Sequence, residues 1–133
     1  KDKVIWCPFY CNGLAGNYLK KNGISVIHNE EDFFENNHGD ICIDNPTYFS
    51  SQKKVVKREI MKRLQELDKP FMLLVPAQTL QTKYYKKLFD KHTQLIIPSF
   101  QYSFIQNGVK ARITSYTLWI CWKMNFEKDI NII

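Results

Sequence analysis

The amino-acid sequence predicts an α/β fold in which a doubly wound, mostly parallel sheet finishes in a C-terminal antiparallel hairpin. Short runs of β-branched and aromatic residues, which are typical of buried strands, alternate with longer stretches of helical periodicity. Two of these runs stop at a proline, Pro46 and Pro76, which has no N–H to donate to a neighbouring strand. Near the C-terminus, two further runs flank a turn signal at residues 106–109. At 133 residues, the chain is long enough to form one domain with a sizeable core.

The individual elements follow from these patterns in chain order. The apolar runs predict strands at residues 3–7, 23–28, 41–43, 71–76, 94–98, 102–105 and 113–122. Helical periodicity predicts helices at residues 14–21, 52–67 and 79–91. The helix at 52–67 has an apolar stripe at helical spacing, formed by Val56, Ile60, Leu64 and Leu67. Residues 125–133 are left as a tail.

Composition and charge narrow the class of protein. Nineteen basic residues against thirteen acidic residues give a net charge of +6, which favours a polyanionic partner such as nucleic acid. The hydrophobic content of 44% argues against disorder, and no stretch approaches the roughly 20 apolar residues of a membrane span. The four cysteines form no Cys-x-x-Cys pair, so we expect a reduced, intracellular protein, in the cytoplasm or nucleus, without a metal site. A metal site of Cys7, Cys11, His28 and His38 is disfavoured because its spacing is not that of a zinc module.

The stretch with the most specific chemistry begins where the strand at 41–43 ends. Asn45 offers a side-chain carbonyl and Pro46 a backbone carbonyl, on a loop at the carboxyl end of a strand, where open α/β sheets bind ligands. Two such acceptors can take both hydrogens of a planar amino group and make its nitrogen more nucleophilic. Tyr48 can stack on the ring that carries the amino group.

These residues resemble a known motif. The run Asn45-Pro46-Thr47-Tyr48 resembles the Asn-Pro-Pro-Tyr/Phe motif of S-adenosylmethionine-dependent amino-methyltransferases, above all the DNA adenine-N6 enzymes. The resemblance implies a Rossmann-like methyltransferase fold, in which Asn45 and Pro46 hold the target amino group and Tyr48 contacts the flipped base. Thr47 departs from the motif, which has a second proline there.

The turn after the first strand is similar to the cofactor-binding first motif of the same family. Its glycines let the backbone approach a ligand closely, and a helix N-terminus favours negative charge. The resemblance implies S-adenosylmethionine contacts from Pro8, Phe9, Gly13 and Gly16. Cys7 and Asn12 stand where many family members have acids.

Further cofactor contacts are implied after the second strand. There the family places an acid on the ribose hydroxyls, for which Glu30 is the nearest candidate and Glu31 the second. Asp32 and Phe33 resemble the third motif, in which the acid accepts a hydrogen bond from the adenine amino group and the aromatic ring covers the base. The resemblance also implies that Asn45 contacts the cofactor. As alternatives, Glu30 belongs to a solvated acidic turn, and Phe33 or Phe34 is a core residue.

The leading hypothesis is therefore an adenine-specific methyltransferase acting on nucleic acid, with DNA favoured over RNA. One alternative is a degenerate member that binds nucleic acid or a partner without catalysis, and another is a methyltransferase for guanine or a glutamine amide. Residues 99–112, which contain only the short run at 102–105, have no room for a region that reads DNA sequence. A protein partner or flanking sequence would supply target recognition, or specificity is low. The basic residues of the helix at 52–67 form either a solvated face or a phosphate contact: Lys54, Lys57, Arg58, Lys62 and Arg63.

Overall fold

The computed structural model describes residues 2–10, 13–46, 56–89, 93–103, 105–106, 109–110 and 116–133. The strands are β1 (Ile5–Trp6), β2 (Val26–Ile27), β3 (Ile41–Asp44), β4 (Phe71–Pro76), β5 (Thr93–Ile97), β6 (Ile105–Gln106), β7 (Val109–Lys110), β8 (Thr117–Trp122) and β9 (Ile130–Ile132). The helices are α1 (Leu14–Lys21), α2 (Val56–Leu67) and α3 (Lys83–Phe89), with a 3-10 turn at Ala77–Gln81 before α3. No helix within these ranges combines the length and the apolar character needed to cross a bilayer.

The main sheet has the strand order β2-β1-β3-β4-β8-β5-β9. β1 is parallel to β2 and β3, β3 is parallel to β4, and β9 is parallel to β5. β8 lies antiparallel between β4 and β5, with Leu73 opposite Ile120 and Leu95 opposite Ile120 on its other side. The predicted α/β class and the mostly parallel, Rossmann-like sheet are therefore confirmed.

The sheet is wound in two directions from the boundary between β1 and β3. The β1–α1–β2 unit runs towards one edge and the β3–α2–β4 unit towards the other, so right-handed crossovers place α1 and α2 on opposite faces. The face under α2 and α3 holds the main core, in which Phe71 and Leu73 of β4 pack with Ile60 and Leu64 of α2. Burying each such side chain stabilises the fold by roughly 1.5–3 kcal/mol.

Three sequence predictions need correction in the second half of the chain. Residues 125–133 are not a bare tail, because Ile130–Ile132 form the edge strand β9 and the Gln94 side chain donates to the Phe126 carbonyl at 2.8 Å. The predicted run at 102–105 does not pair with β8; β6 pairs instead with β7 in a separate two-stranded sheet. The predicted helix at 79–91 begins as a 3-10 turn, and α3 starts at Lys83, where the Thr82 hydroxyl accepts the Tyr85 N–H at 3.3 Å.

Candidate functional site at the carboxyl edge of the sheet

The candidate site lies where β1 and β3 diverge. β1 and β3 are adjacent and parallel, but their following helices lead to opposite edges of the sheet, which makes this the topological switch point where open α/β sheets bind ligands. The turn that follows β1 and the loop that follows β3 therefore meet at one edge. In that loop Asn45 is exposed and Pro46 is buried, so the Asn45 carboxamide is presented to solvent from a fixed backbone.

Asp44, the last residue of β3, ties the two segments together. Its carboxylate is 9% exposed; Oδ2 accepts the Phe9 N–H at 2.7 Å and Oδ1 accepts the Asn45 N–H at 2.8 Å. The bond to Phe9 spans 35 residues of sequence. We did not predict this role, although the alternation of β3 contains its signal: Asp44 shares the buried face with Cys42.

The burial of Asp44 shapes its electrostatics. Removal of the carboxyl from water raises its pKa to about 6, against the opposing effects of the two N–H donors and of nearby His28. A buried carboxyl with a raised pKa at a switch point is typical of a functional site.

His28 fills the space between the end of β2 and α1. It is 6% exposed, its Nδ1–H donates to the Cys7 carbonyl at 2.8 Å, and its ring lies 5.0 Å from that of Tyr10. Since a carbonyl can only accept, this bond places the ring proton on Nδ1 and leaves Nε2 buried without a partner in the described part of the chain. A Cβ on Gly16 would stand 2.3 Å from His28 Cδ2, so Gly16 is needed for this packing, whatever its part in cofactor binding.

Phe9 joins the first turn to the predicted third motif. Its ring lies 5.0 Å from that of Phe33, which is 5% exposed and stacks on Trp6 at 5.7 Å. Pro8 is buried beside Phe9, and Gly13, with a φ of 78°, donates its N–H to the Tyr10 carbonyl at 2.9 Å. Phe33 has the contacts of a core residue, and its contact with the cofactor stays a prediction.

The two predicted acidic contacts lie on the surface after β2. Asp32 is exposed and its Oδ1 accepts the Phe34 N–H at 2.8 Å, which orders the turn at residues 33–35. The exposed Glu30 carboxylate has no hydrogen-bond partner among the described residues, whereas Glu31 pairs with His38 at 2.9 Å. Exposed carboxylates can accept hydrogen bonds from the hydroxyl and amino groups of a nucleoside, so the set of acceptors at this edge fits the predicted cofactor.

Other predicted residues fall outside what can be described. Thr47 and Tyr48, together with Cys11 and Asn12, lie outside the described residues, and the predicted role of Tyr48 stays a prediction. Cys7 is 3% exposed, and burial raises the pKa of its thiol to about 12, so it carries no negative charge at neutral pH. In the described ranges, no three His, Cys, Asp or Glu side chains are grouped to hold a metal ion.

The basic residues of α2 divide into two groups. The half-buried Lys57 donates to the Thr79 hydroxyl at 3.2 Å, and the Arg63 guanidinium donates to the Asn36 carbonyl at 3.1 Å. Both therefore make internal contacts, contrary to a uniformly solvated face, while Lys54 lies outside the described residues. The basic side chains of α2 and α3 that remain exposed are Arg58, Lys62, Lys83, Lys86 and Lys87.

Comparison with known proteins gives little beyond this geometry. No protein-family model and no curated protein sequence matches the chain. Among solved structures, the chain is similar to precorrin-6y C5,15-methyltransferase from Geobacter metallireducens GS-15, with 13% sequence identity and a TM-score of 0.42. The match covers 92% of this chain and 80% of the other. A similarity of this size does not indicate an activity for this chain.

Proposed function

We propose that this domain transfers a methyl group from S-adenosylmethionine to the exocyclic amino group of adenine in nucleic acid, with DNA favoured over RNA. The observation that carries the proposal is the position of Asn45, which is exposed on the loop after β3 and directly follows Asp44, whose carboxylate accepts the Phe9 N–H from the turn after β1. A cofactor held by that turn and an amino group held by Asn45 would face each other across the switch point. The motif at residues 45–48 supplies the choice of an amino group on a flat ring.

The proposed chemistry needs only acceptors at the target nitrogen. The Asn45 side-chain oxygen and the Pro46 carbonyl each accept one hydrogen of the amino group, which localises the nitrogen lone pair for attack. Hydrogen bonds aimed at charge that develops in the transition state are worth more in a water-excluded site than in water. Tyr48 would stack on the extruded base and contribute roughly 1–3 kcal/mol.

The cofactor would be held by residues on both sides of Phe9. Glu30 would accept from the ribose hydroxyls, Asp32 would accept from the adenine amino group, and the turn at residues 8–16 would approach the amino-acid part. When bound, S-adenosylmethionine supplies an electrophilic methyl group on a sulfonium centre. The described residues near Asn45 do not need to provide a strong base, because the nitrogen attacks before it loses its proton.

A second candidate is a methyltransferase-like domain that binds nucleic acid without catalysis. The buried, uncharged Cys7 thiol favours it, since an acid is common at that position in the family that the motif resembles. An active enzyme with guanine or a glutamine amide as its target is a third candidate, and the basic charge disfavours the protein substrate.

Saturating S-adenosylmethionine should raise the melting temperature of the purified chain. A ligand at 100 times its Kd that binds only the native state stabilises by about 2.7 kcal/mol, or roughly 10 °C for a domain of this size. Differential scanning fluorimetry measures the shift, and Glu30→Gln should reduce it. The matched control is Glu127→Gln, which neutralises an exposed acid elsewhere. No shift at millimolar cofactor would remove the methyl-transfer proposal in favour of the second candidate.

The five exposed basic side chains of α2 and α3 should give salt-sensitive nucleic-acid binding with little sequence preference. Contacts from five basic side chains would weaken affinity on the order of 10²- to 10³-fold between 50 and 200 mM salt, since each neutralised phosphate releases counterions. Replacing Lys83, Lys86 and Lys87 by Gln should reduce the slope of log affinity against log salt by about 2.7. Replacing Lys20, Lys21 and Lys128 by Gln removes the same charge elsewhere on the surface and should leave this slope unchanged. Fluorescence anisotropy with labelled DNA and RNA measures both slopes, and equal slopes would contradict this interface.

A further inference from the structure

We propose that Asp44, in its ionised form, is a positioning residue that holds the Asn45–Pro46 loop in register with the turn after β1. The inference rests on the proposed function for its catalytic consequence, since it assigns the part of the site that aligns the two substrates. Asp44 contacts neither the cofactor nor the target base in the proposed function, and it acts through the backbone N–H groups of Phe9 and Asn45.

The bonding pattern requires a group that only accepts. A carboxylate offers two acceptor oxygens and no donor, and here one oxygen meets the Phe9 N–H while the other meets the Asn45 N–H. If Asp44 is protonated, or is replaced by Asn, one of these positions becomes a donor that faces another donor. One of the two N–H groups then loses its partner, and the link between the two loops breaks.

A second acid, Asp40, shows that a carboxylate can join the segments around β1 and β3 without being buried as Asp44 is. Asp40 lies just before β3, and its Oδ2 accepts the Val4 N–H at 2.8 Å next to the start of β1. It thus joins the same two strands by the same kind of bond, at the opposite edge of the sheet, but it is exposed and retains its hydration. Asp44 makes its link at the candidate site, where desolvation penalises the charge.

The direction in which the stability contribution of Asp44 changes with pH distinguishes a positioning role from a structural one. The folded-state pKa of about 6 lies above the ordinary value of 3.8 for an aspartate, so between these values the folded state binds more protons than the unfolded state. The contribution of Asp44 to stability therefore falls as pH rises through this window and is lowest above pH 6. Its ionised form lowers stability while holding the loops, the trade-off expected of a functional residue.

Among the described residues, three titratable groups interact electrostatically with Asp44: His28 after β2, Cys7 in the turn after β1 and Cys42 on β3. Burial raises the pKa of both thiols, so they stay uncharged near pH 6. His28→Gln therefore tests whether a titration near pH 6 belongs to Asp44.

The structural part is tested by NMR on the ¹⁵N-labelled full chain. The amide protons of Phe9 and Asn45 should titrate together with a midpoint near pH 6, and this titration should persist in His28→Gln and vanish in Asp44→Asn. Asp40→Asn should move the Val4 amide and leave the other two unchanged. Amides of Phe9 and Asn45 that show no common titration would overturn the inference, whether or not the protein transfers methyl groups.

The functional part compares the same two variants. Asp44→Asn should keep or raise Tm at pH 8 but lower kcat by about 10- to 10²-fold, since small misplacements of reacting groups have effects of this size. The wild-type kcat should decline below pH 6 and Asp44→Asn should lose this decline, whereas Asp40→Asn should keep wild-type kcat and pH profile. A wild-type kcat in Asp44→Asn would overturn the positioning role. If the wild type transfers no methyl group, the proposed function fails and the amide titration alone decides the inference.

Discussion

Asn45→Ala should abolish detectable methyl transfer to adenine while binding of S-adenosylmethionine persists. The substitution removes one of the two acceptors proposed for the target amino group, and loss of one preorganised hydrogen bond to a transition state reduces kcat by about 10²- to 10³-fold. The Asn45 side chain is exposed and makes no hydrogen bond within the described part of the chain, so Tm should stay within about 1 °C of the wild-type value. Radiolabelled cofactor with adenine-containing DNA and RNA measures the transfer, and calorimetry measures the binding.

Tyr48→Phe is the matched contrast for this experiment. It keeps the ring that stacks on the base and removes only the hydroxyl, so most of the activity should remain. Wild-type activity in Asn45→Ala would show that the loop after β3 is not the active site. Loss of cofactor binding in Asn45→Ala would instead move Asn45 from the target amino group to the cofactor, which is its second predicted role.

The arrangement of the sheet could be predicted because most of its signals are local. The run at Phe71–Pro76 is apolar over its whole length, and β4 forms over those residues. β9 could not be predicted in this way, because Ile130 and Ile132 alternate with a polar residue in a segment of only three residues. Its stability comes from β5, where Leu95 lies opposite Ile130, and no window of sequence contains both. Pairing between distant segments overrides local propensity.

The residues of the candidate site also divide into those that neighbouring residues predict and those whose contacts are distant in the sequence. The position of Asn45 followed from the residues that flank it, an apolar strand before and a proline after. Asp44 was overlooked because its function depends on the Phe9 N–H, 35 residues away, and an acid at the end of a strand is by itself unremarkable. The resemblance to the family's first motif assigns Gly16 to the cofactor turn, whereas the contact that the structure shows for it is with the His28 ring.

Gly16→Ala should destabilise the domain by roughly 2 kcal/mol, although helix propensity alone favours the change. Alanine in a helix is about 1 kcal/mol better than glycine, but overpacking a tight contact costs about 1–3 kcal/mol. The new Cβ would lie 2.3, 2.5 and 2.6 Å from Cδ2, Cγ and Cβ of His28. His28 cannot move aside without losing its bond to the Cys7 carbonyl and its contact with the Tyr10 ring, which adds about 1 kcal/mol.

Two further variants show whether the steric contact is the cause of this loss. Asn17→Ala, at the next position of α1, makes the same helix-favouring kind of change at an exposed residue and should leave Tm unchanged or slightly raised. His28→Ala in the Gly16→Ala background removes the ring that the new methyl group meets. The double variant should therefore lose less free energy of unfolding than the two single losses together, by about 0.5–3 kcal/mol. Chemical denaturation measures all four free energies, and strict additivity would show that Gly16 and His28 do not interact.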